Sequence, residues 1–283
     1  MKRVLITGSS GFIGRHAVAE LTRRGYEIQV YSMRNFDLRE IPRMYDIISR
    51  FRPSHLAHFA WFGEHGKVWN SRENLHSADA SERLFRAFIE NGGQHAFFAG
   101  SCAEYDWKNE LLSEEKTSTD SVSVYGESKN ALREHIFDLA RTRPVKIAWG
   151  RIFFVYGPGE HQDRLAPSIL LPLLRNEPAT VRFGNHVRDF LHVEDVARAV
   201  VHLLDRDFHG PINIASGQPI TLADFGKKLA KIAGRESLLR IEFGEPTADN
   251  PLVLKADIAH LRATGFTPRY SLDEGLKTLI GSA

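Results

Sequence analysis

The sequence predicts an α/β fold, a doubly wound parallel sheet with a smaller, partly irregular C-terminal lobe. Three observations carry this expectation. The apolar run Val4-Leu5-Ile6 enters the glycine-spaced turn Thr7-Gly8-Ser9-Ser10-Gly11-Phe12-Ile13-Gly14. Strand-like and helix-like segments then alternate through the first half of the chain, as helical crossovers over a parallel sheet require. After Gly157-Pro158-Gly159 the alternation weakens and prolines stand at 167, 172 and 178.

The elements follow in order. A short buried run over 3–6 is the first strand, and Ala17, Val18 and Leu21 give the segment 12–24 the one-sided apolar pattern of a helix. Further strands are expected over 27–31, 55–59, 96–99 and 145–149, and helices over 73–90 and 125–141. Residues 1–155 make the first domain, with a return of the chain to it near 186–208; residues 156–185 and 209–283 make the second lobe, and substrate is expected between the two.

Composition narrows the classes of function. The 283 residues are 42% hydrophobic, enough for a packed core, and the formal net charge of +2 is spread without a basic arm or acidic tail, which disfavours nucleic acid. Lys2 and Arg3 lead straight into a strand, and no apolar run approaches a membrane span, so a cytoplasmic location is expected. The single cysteine, Cys102, excludes an internal disulfide. Thirteen histidines, among them His58, His65, His76, His186 and His192, lack the spacing and acidic neighbour of a helical metal site, so no metal is expected.

The turn after the first strand suits a dinucleotide. Its glycines allow a sharp turn and close approach to a pyrophosphate, whose charge the free N–H groups of the following helix can stabilise; this makes the first domain Rossmann-type. Chemistry centres on Tyr125 and Lys129, four apart on one helix face, where an ammonium can favour a phenolate and bring a phenol toward neutral pH. Ser101 follows the buried run 96–100, at the carboxyl end of a strand, where its hydroxyl can hold a carbonyl oxygen.

With these residues the chain resembles an extended short-chain dehydrogenase/reductase of the nucleotide-sugar epimerase, dehydratase and reductase group. Matching segments are the glycine turn, Asp37-Leu38, His58-Phe59-Ala60-Trp61, Ser101, Tyr125 with Lys129, Tyr156-Gly157-Pro158-Gly159, and the run from Arg188-Asp189-Phe190 to Val196-Ala197. The resemblance implies that Tyr125 is the acid/base, that Ser101 orients the reacting oxygen, and that Lys129 lowers the tyrosine pKa and holds the nicotinamide ribose. It implies cofactor contacts for Thr7, Gly8, Ser10, Gly11, Phe12, Ile13, Gly14, Leu38 and Ala60, an adenine contact for Asp37, and a substrate-diphosphate contact for Arg188. His58 is expected to shape the cofactor loop. Trp61, Cys102, Glu104, Phe154 and Arg164 are expected along the substrate cleft, Cys102 as a small packed residue without catalytic work. The helices after Glu73 and Tyr125 would cover a second copy in a homodimer, as the family's four-helix interface implies, the alternative being that either is covered only by its own chain.

Departures from the pattern sort the reactions. Sugar 4,6-dehydratases of the group carry an acidic pair after the position of Ser101, where this chain has Cys102-Ala103, so dehydration is disfavoured. Phe154 replaces an asparagine that usually touches the sugar phosphate. No arginine lies in 244–250; Arg182 or Lys255 is available to substitute. After the second strand no acid occurs before Asp37, while Ser32 and Arg34 could hold a 2′-phosphate, so NADP(H) is favoured over NAD(H). The leading expectation is therefore NADPH-dependent reduction of a nucleotide-linked keto-sugar, a 4-keto-6-deoxyhexose, with Tyr125 as acid. The alternatives are an NAD-dependent epimerase and a non-catalytic nucleotide sensor.

Overall fold

The computed structural model describes residues 2–31, 41–63 and 66–282. Ser32, Arg34, Asp37 and Leu38, on which the cofactor preference rests, lie outside the described residues, as does His65.

Six parallel strands form the main sheet: β1 (Arg3–Thr7), β2 (Glu27–Tyr31), β3 (His55–His58), β4 (His95–Ser101), β6 (Lys146–Ile152) and β10 (Gly210–Ile214), in the order β10-β6-β4-β3-β1-β2. Helices α1 (Phe12–Arg23), α2 (Ile41–Phe51) and α3 (Glu73–Glu90) connect the first four strands, and α4 (Val124–Ala140) precedes β6. Because β1 has β2 on one side and β3 on the other, the winding reverses there, and the carboxyl ends of β1 and β3 flank the crevice in which such sheets bind ligands.

Alternation along the strands decides which side chains enter each layer. Leu5, Leu56, Ala96, Phe98, Ile147 and Trp149 pack in one cluster with Met44 and Ile48 of α2, Leu84, Phe85 and Phe88 of α3, and Leu132 and Ile136 of α4. Phe98 and Trp149 stack at 5.7 Å across neighbouring strands. This layer fixes α4 against the sheet and so sets where Tyr125 and Lys129 can point. Strand β4 runs two residues further than the apolar run suggests and takes Ser101 as its last residue.

The chain divides into two compact units, the first made of Met1–Asp106, Ser118–Ile152 and Ala197–Ile212, the second of Trp107–Thr117, Phe153–Val196 and Asn213–Ala283. Segment 107–117, which the sequence reading keeps in the first domain, belongs to the second unit because β5 (Leu111–Leu112) pairs with β13 (Val253–Ala256). In that unit the order is β11-β9-β13-β5, with β9 at Val187–His192 and β11 at Pro219–Thr221, and β7 (Phe154–Tyr156) also pairs with β9. A two-stranded sheet joins β8 (Ala179–Val181) and β12 (Leu239–Ile241).

The prolines of this region do not exclude a helix. Helix α5 (Leu165–Leu174) runs through Pro172, and its buried stripe of Ala166, Ile169, Leu170 and Leu173 offsets the hydrogen bond that proline removes. It packs on α7 (Leu222–Ala233). Helix α6 (Val193–Leu204) begins in the second unit and continues into the first.

Candidate active site

The turn after β1 leaves no room for a side chain at Gly8 or Gly14. Gly8 has φ +68°, and a Cβ there would meet the Ala60 nitrogen at 2.7 Å and the Phe59 carbonyl carbon at 2.8 Å. A Cβ at Gly14 would press into the Gly8 carbonyl, and the Gly11 N–H closes the turn by donating to that same oxygen at 3.0 Å. Gly11 caps α1 with no side-chain bond, so the first amides of α1, from Phe12 onward, have no partner within the helix. Ser10 is exposed and Ile13 half-buried beside it. The fit to a dinucleotide pyrophosphate therefore rests on a cradle that an added Cβ would fill.

Behind this turn runs a chain of hydrogen bonds with fixed polarity. Ser81 Oγ donates to the Ser77 carbonyl at 2.6 Å, which leaves it as acceptor for His58 Nε2 at 2.8 Å. His58 Nδ1 is then the acceptor and takes the Thr7 hydroxyl at 2.7 Å, while Thr7 Oγ1 accepts from the Ala60 N–H at 3.3 Å. Burial pushes His58 down to about 3, with the Lys129 charge adding to the effect, so the ring is neutral and the polarity persists. His58 thus ties β1, β3 and α3 together behind the glycine turn. Ser81 was not evident from sequence; its spacing of four from Ser77 on α3 was the available signal.

Helix α4 is capped by Ser123, whose hydroxyl accepts from the Gly126 N–H at 3.1 Å. Gly126 faces the Ala103 carbonyl so closely that a Cβ would collide with it, which draws the first turn of α4 onto the 3-10 turn Cys102–Glu104 that follows Ser101. Tyr125 donates its backbone N–H to the Trp69 carbonyl at 3.0 Å, and its ring meets Trp61 and Trp69 edge-on at 6.2 and 5.8 Å. The Lys129 ammonium lies 5.7 Å from the Tyr125 ring centroid and donates to the Ala99 carbonyl at 2.8 Å. Burial lowers its pKa to about 7, opposed by the charge of Glu104. Ser101, Tyr125 and Lys129 are therefore assembled at the carboxyl end of β4 in the first unit.

Glu104 is placed differently from expectation. Its side chain is wholly buried; Oε1 accepts the Ser101 N–H at 2.7 Å, and Oε2 takes Trp149 Nε1 at 2.9 Å and Arg151 Nε at 2.9 Å. The carboxylate holds the strand end and has no open face for a sugar. Ser101 Oγ caps the 3-10 turn by accepting from the Ala103 N–H at 3.2 Å and keeps its own proton for donation. Cys102 is buried beside it. Arg151, a charge at the end of an apolar strand, was the sequence signal for this buried pair.

The remaining expected residues belong to the second unit. Arg188 is buried, with Nη1 donating to the Val187 carbonyl at 2.8 Å and Nη2 to Asn250 Oδ1 at 2.6 Å, and its guanidinium carbon lies 5.4 Å from the Phe154 ring centroid. Phe154 also packs on Phe190 at 5.8 Å, and Arg164 is exposed at the start of α5. Two carboxylates of the segment after Arg188 anchor backbone: Asp189 accepts from the Ser216 and Gly217 N–H groups at 2.8 and 2.9 Å, and Asp195 from those of Arg269 and Tyr270 at 2.8 and 2.9 Å. Among the described residues no group of three or more His, Cys, Asp or Glu could hold a metal, and no helix is long and apolar enough to cross a membrane.

Known proteins share this fold. UDP-glucuronic acid decarboxylase 1 of Arabidopsis thaliana is 24% identical over 307 residues, 98% of this chain and 69% of its own. The UDP-glucose 4-epimerase of Thermus thermophilus in complex with NAD superposes with a TM-score of 0.87 at 23% identity, covering 99% of this chain and 98% of that one. MoeE5 in complex with UDP-glucose and NAD gives a TM-score of 0.85 at 27% identity, covering 99% and 97%. The sequence profile of the NAD dependent epimerase/dehydratase family matches residues 4–215, well over half the chain, and the chain belongs to that family, an extended short-chain dehydrogenase/reductase by its fold.

Proposed function

We propose that the protein is an NAD-dependent epimerase of a nucleotide-diphosphate sugar. The observation that carries this is the Lys129 ammonium, buried beside the Tyr125 ring at the end of β4, next to a strand end whose following residues, Cys102 and Ala103, are buried and carry no carboxylate, while the carboxylate of Glu104 is engaged by Trp149 and Arg151. A site with one proton-transfer group suits reversible oxidation of a single hydroxyl. A site that eliminates water needs a second such group.

Bound nicotinamide dinucleotide supplies the hydride acceptor and donor of this chemistry. Tyr125 accepts the proton of the sugar hydroxyl and later returns it, Ser101 donates a hydrogen bond to the reacting oxygen, and Lys129 stabilises the phenolate. Gly8, Gly11 and Gly14 admit the pyrophosphate, with Thr7, Ser10, Phe12, Ile13, His58 and Ala60 around it. Arg188, beside Phe154, is assigned the substrate diphosphate, and a homodimer through α3 and α4 completes the reading.

Net reduction of a keto-sugar by NADPH is the second reading, favoured by Ser32 and Arg34 and by the absence of an acid before Asp37. One experiment separates the two. Purified protein is denatured to identify released dinucleotide, and separate samples receive UDP-glucose, UDP-galactose or UDP-glucuronic acid without added cofactor, or a nucleotide-linked 4-keto-6-deoxyhexose with NADPH. Epimerised sugar with retained NAD is the expected result. Stoichiometric loss of NADPH with no epimerisation would reject the epimerase in favour of the reductase.

A further inference from the structure

We propose that Trp61 is a positioning residue for the reaction, its indole hung from Asn74 and serving as the seat that holds the Lys129 ammonium in place beside Tyr125. The inference rests on the reading of Tyr125 as acid/base given above. The ammonium stands 3.5 Å from the Trp61 ring centroid, a cation–π contact at closest approach. The ring cannot rotate freely, because its Nε1–H donates to Asn74 Oδ1 at 2.8 Å. Asn74 is itself wholly buried in the first turn of α3, and its amide donates to the Val68 and Ser71 carbonyls at 2.6 and 2.9 Å.

An ammonium has three donors. One is taken by the Ala99 carbonyl and one side is covered by the indole, so the direction left for a ligand hydroxyl is set by two fixed partners. The indole does a second thing. Burial opposes the charged form of Lys129, and a π face opposes burial without adding a carboxylate that could pair with the ammonium and hold it away from Tyr125. The titratable and charged groups facing the ammonium are Tyr125 on its own helix, Glu104 from the 3-10 turn and His58 from β3, with Arg151 of β6 paired to Glu104 behind them. Trp61 is also expected along the substrate cleft; one of its faces carries the ammonium.

The test reads the contact and the chemistry separately. Near-UV absorbance of wild type minus Trp61→Phe is followed from pH 5 to 9, in the Lys129 and the Lys129→Met backgrounds. A perturbed indole spectrum that titrates with Lys129 and vanishes in Lys129→Met is expected. The basic limb of kcat/KM is then compared: Trp61→Leu, which keeps the site dry but removes the π face, moves it to lower pH by about one unit, and Trp61→Phe recovers most of the shift. A spectrum indifferent to Lys129, or a Trp61→Leu profile superimposed on wild type, would overturn the inference while leaving the proposed activity intact. A Lys129-dependent spectrum with every nucleotide sugar inert would instead overturn the activity and leave the seat in place.

Discussion

Glu104 and Arg151 meet at 2.9 Å with 0% and 2% of their side chains exposed, a buried ion pair directly beneath Ser101. The same carboxylate holds the Ser101 backbone and the Trp149 indole, so one residue couples the core of the sheet to the end of β4.

Glu104→Gln should therefore destabilise the fold by about 3–5 kcal/mol, because it leaves the Arg151 guanidinium buried without a counter-charge. The double variant Glu104→Leu/Arg151→Met should recover only part of this, since the Trp149 Nε1–H and the Ser101 N–H lose their acceptor. Urea midpoints of the three proteins check it; a Glu104→Gln midpoint equal to wild type would remove the structural role assigned to the pair.

Gly14→Ala should abolish dinucleotide retention and cost about 1–3 kcal/mol, because the new methyl meets the Gly8 carbonyl, which is backbone and cannot swing aside. Gly25→Ala is the control: its φ is +75° but a Cβ there has open space, so strain falls on stability alone. Fluorescence of dinucleotide released on denaturation separates the two variants.

How much of this was legible from sequence follows from distance along the chain. The β1–turn–α1 unit was read correctly because strand, glycine spacing and helix face all lie within residues 3–23. The Thr7–His58 and His58–Ser81 bonds join residues 51 and 23 positions apart, and the side chain His58 would reach was not encoded locally. Glu104 was misplaced for a related reason: after a strand end no periodicity states which way a side chain turns, and Trp149 and Arg151 decided it. Segment 107–117 was assigned to the first domain because a two-residue strand has no pattern of its own until β13 pairs with it.

Tyr125→Phe should lower turnover by about two to four orders of magnitude, the range for loss of a positioned proton-transfer group. Dinucleotide binding should change little. The ring's contacts with Trp61 and Trp69 and the backbone bond to Trp69 do not use the hydroxyl. Single-turnover kinetics beside a dinucleotide titration provide the measurement, and unchanged turnover would end the assignment of Tyr125.

The buried histidines should weaken the protein as pH falls below about 6.5. Burial lowers His58 to about 3 and His55 to about 4, and His95, stacked on His55 at 4.9 Å, is also lowered. The unfolded chain binds these protons near pH 6.5 and the fold does not, so the histidines' contribution to stability is level above that pH and falls between 6.5 and 4. The slope is at most about 1.4 kcal/mol per pH unit for each ring. His55→Phe keeps an aromatic ring against Tyr26 and removes one titrating group, and should flatten the slope of denaturant midpoint against pH. Identical slopes for the two proteins would refute the assignment.

Lys129 should show stability and activity moving in opposite directions. Its folded pKa of about 7 lies below the ordinary value of 10.5 because burial disfavours the ammonium. Between those values the unfolded chain carries a proton that the fold lacks, so its contribution makes wild type gain stability as pH rises from 7 toward 10 and carry the full deficit below 7. Lys129→Met keeps the apolar stem and drops the charge, at the loss of the bond to the Ala99 carbonyl, and should raise stability at pH 7 by about 1–3 kcal/mol. Turnover should fall by orders of magnitude in the same variant. The gain should shrink when the urea midpoints are measured at pH 9.5, where wild-type Lys129 is already neutral; a gain independent of pH would mean that the buried charge is not its source.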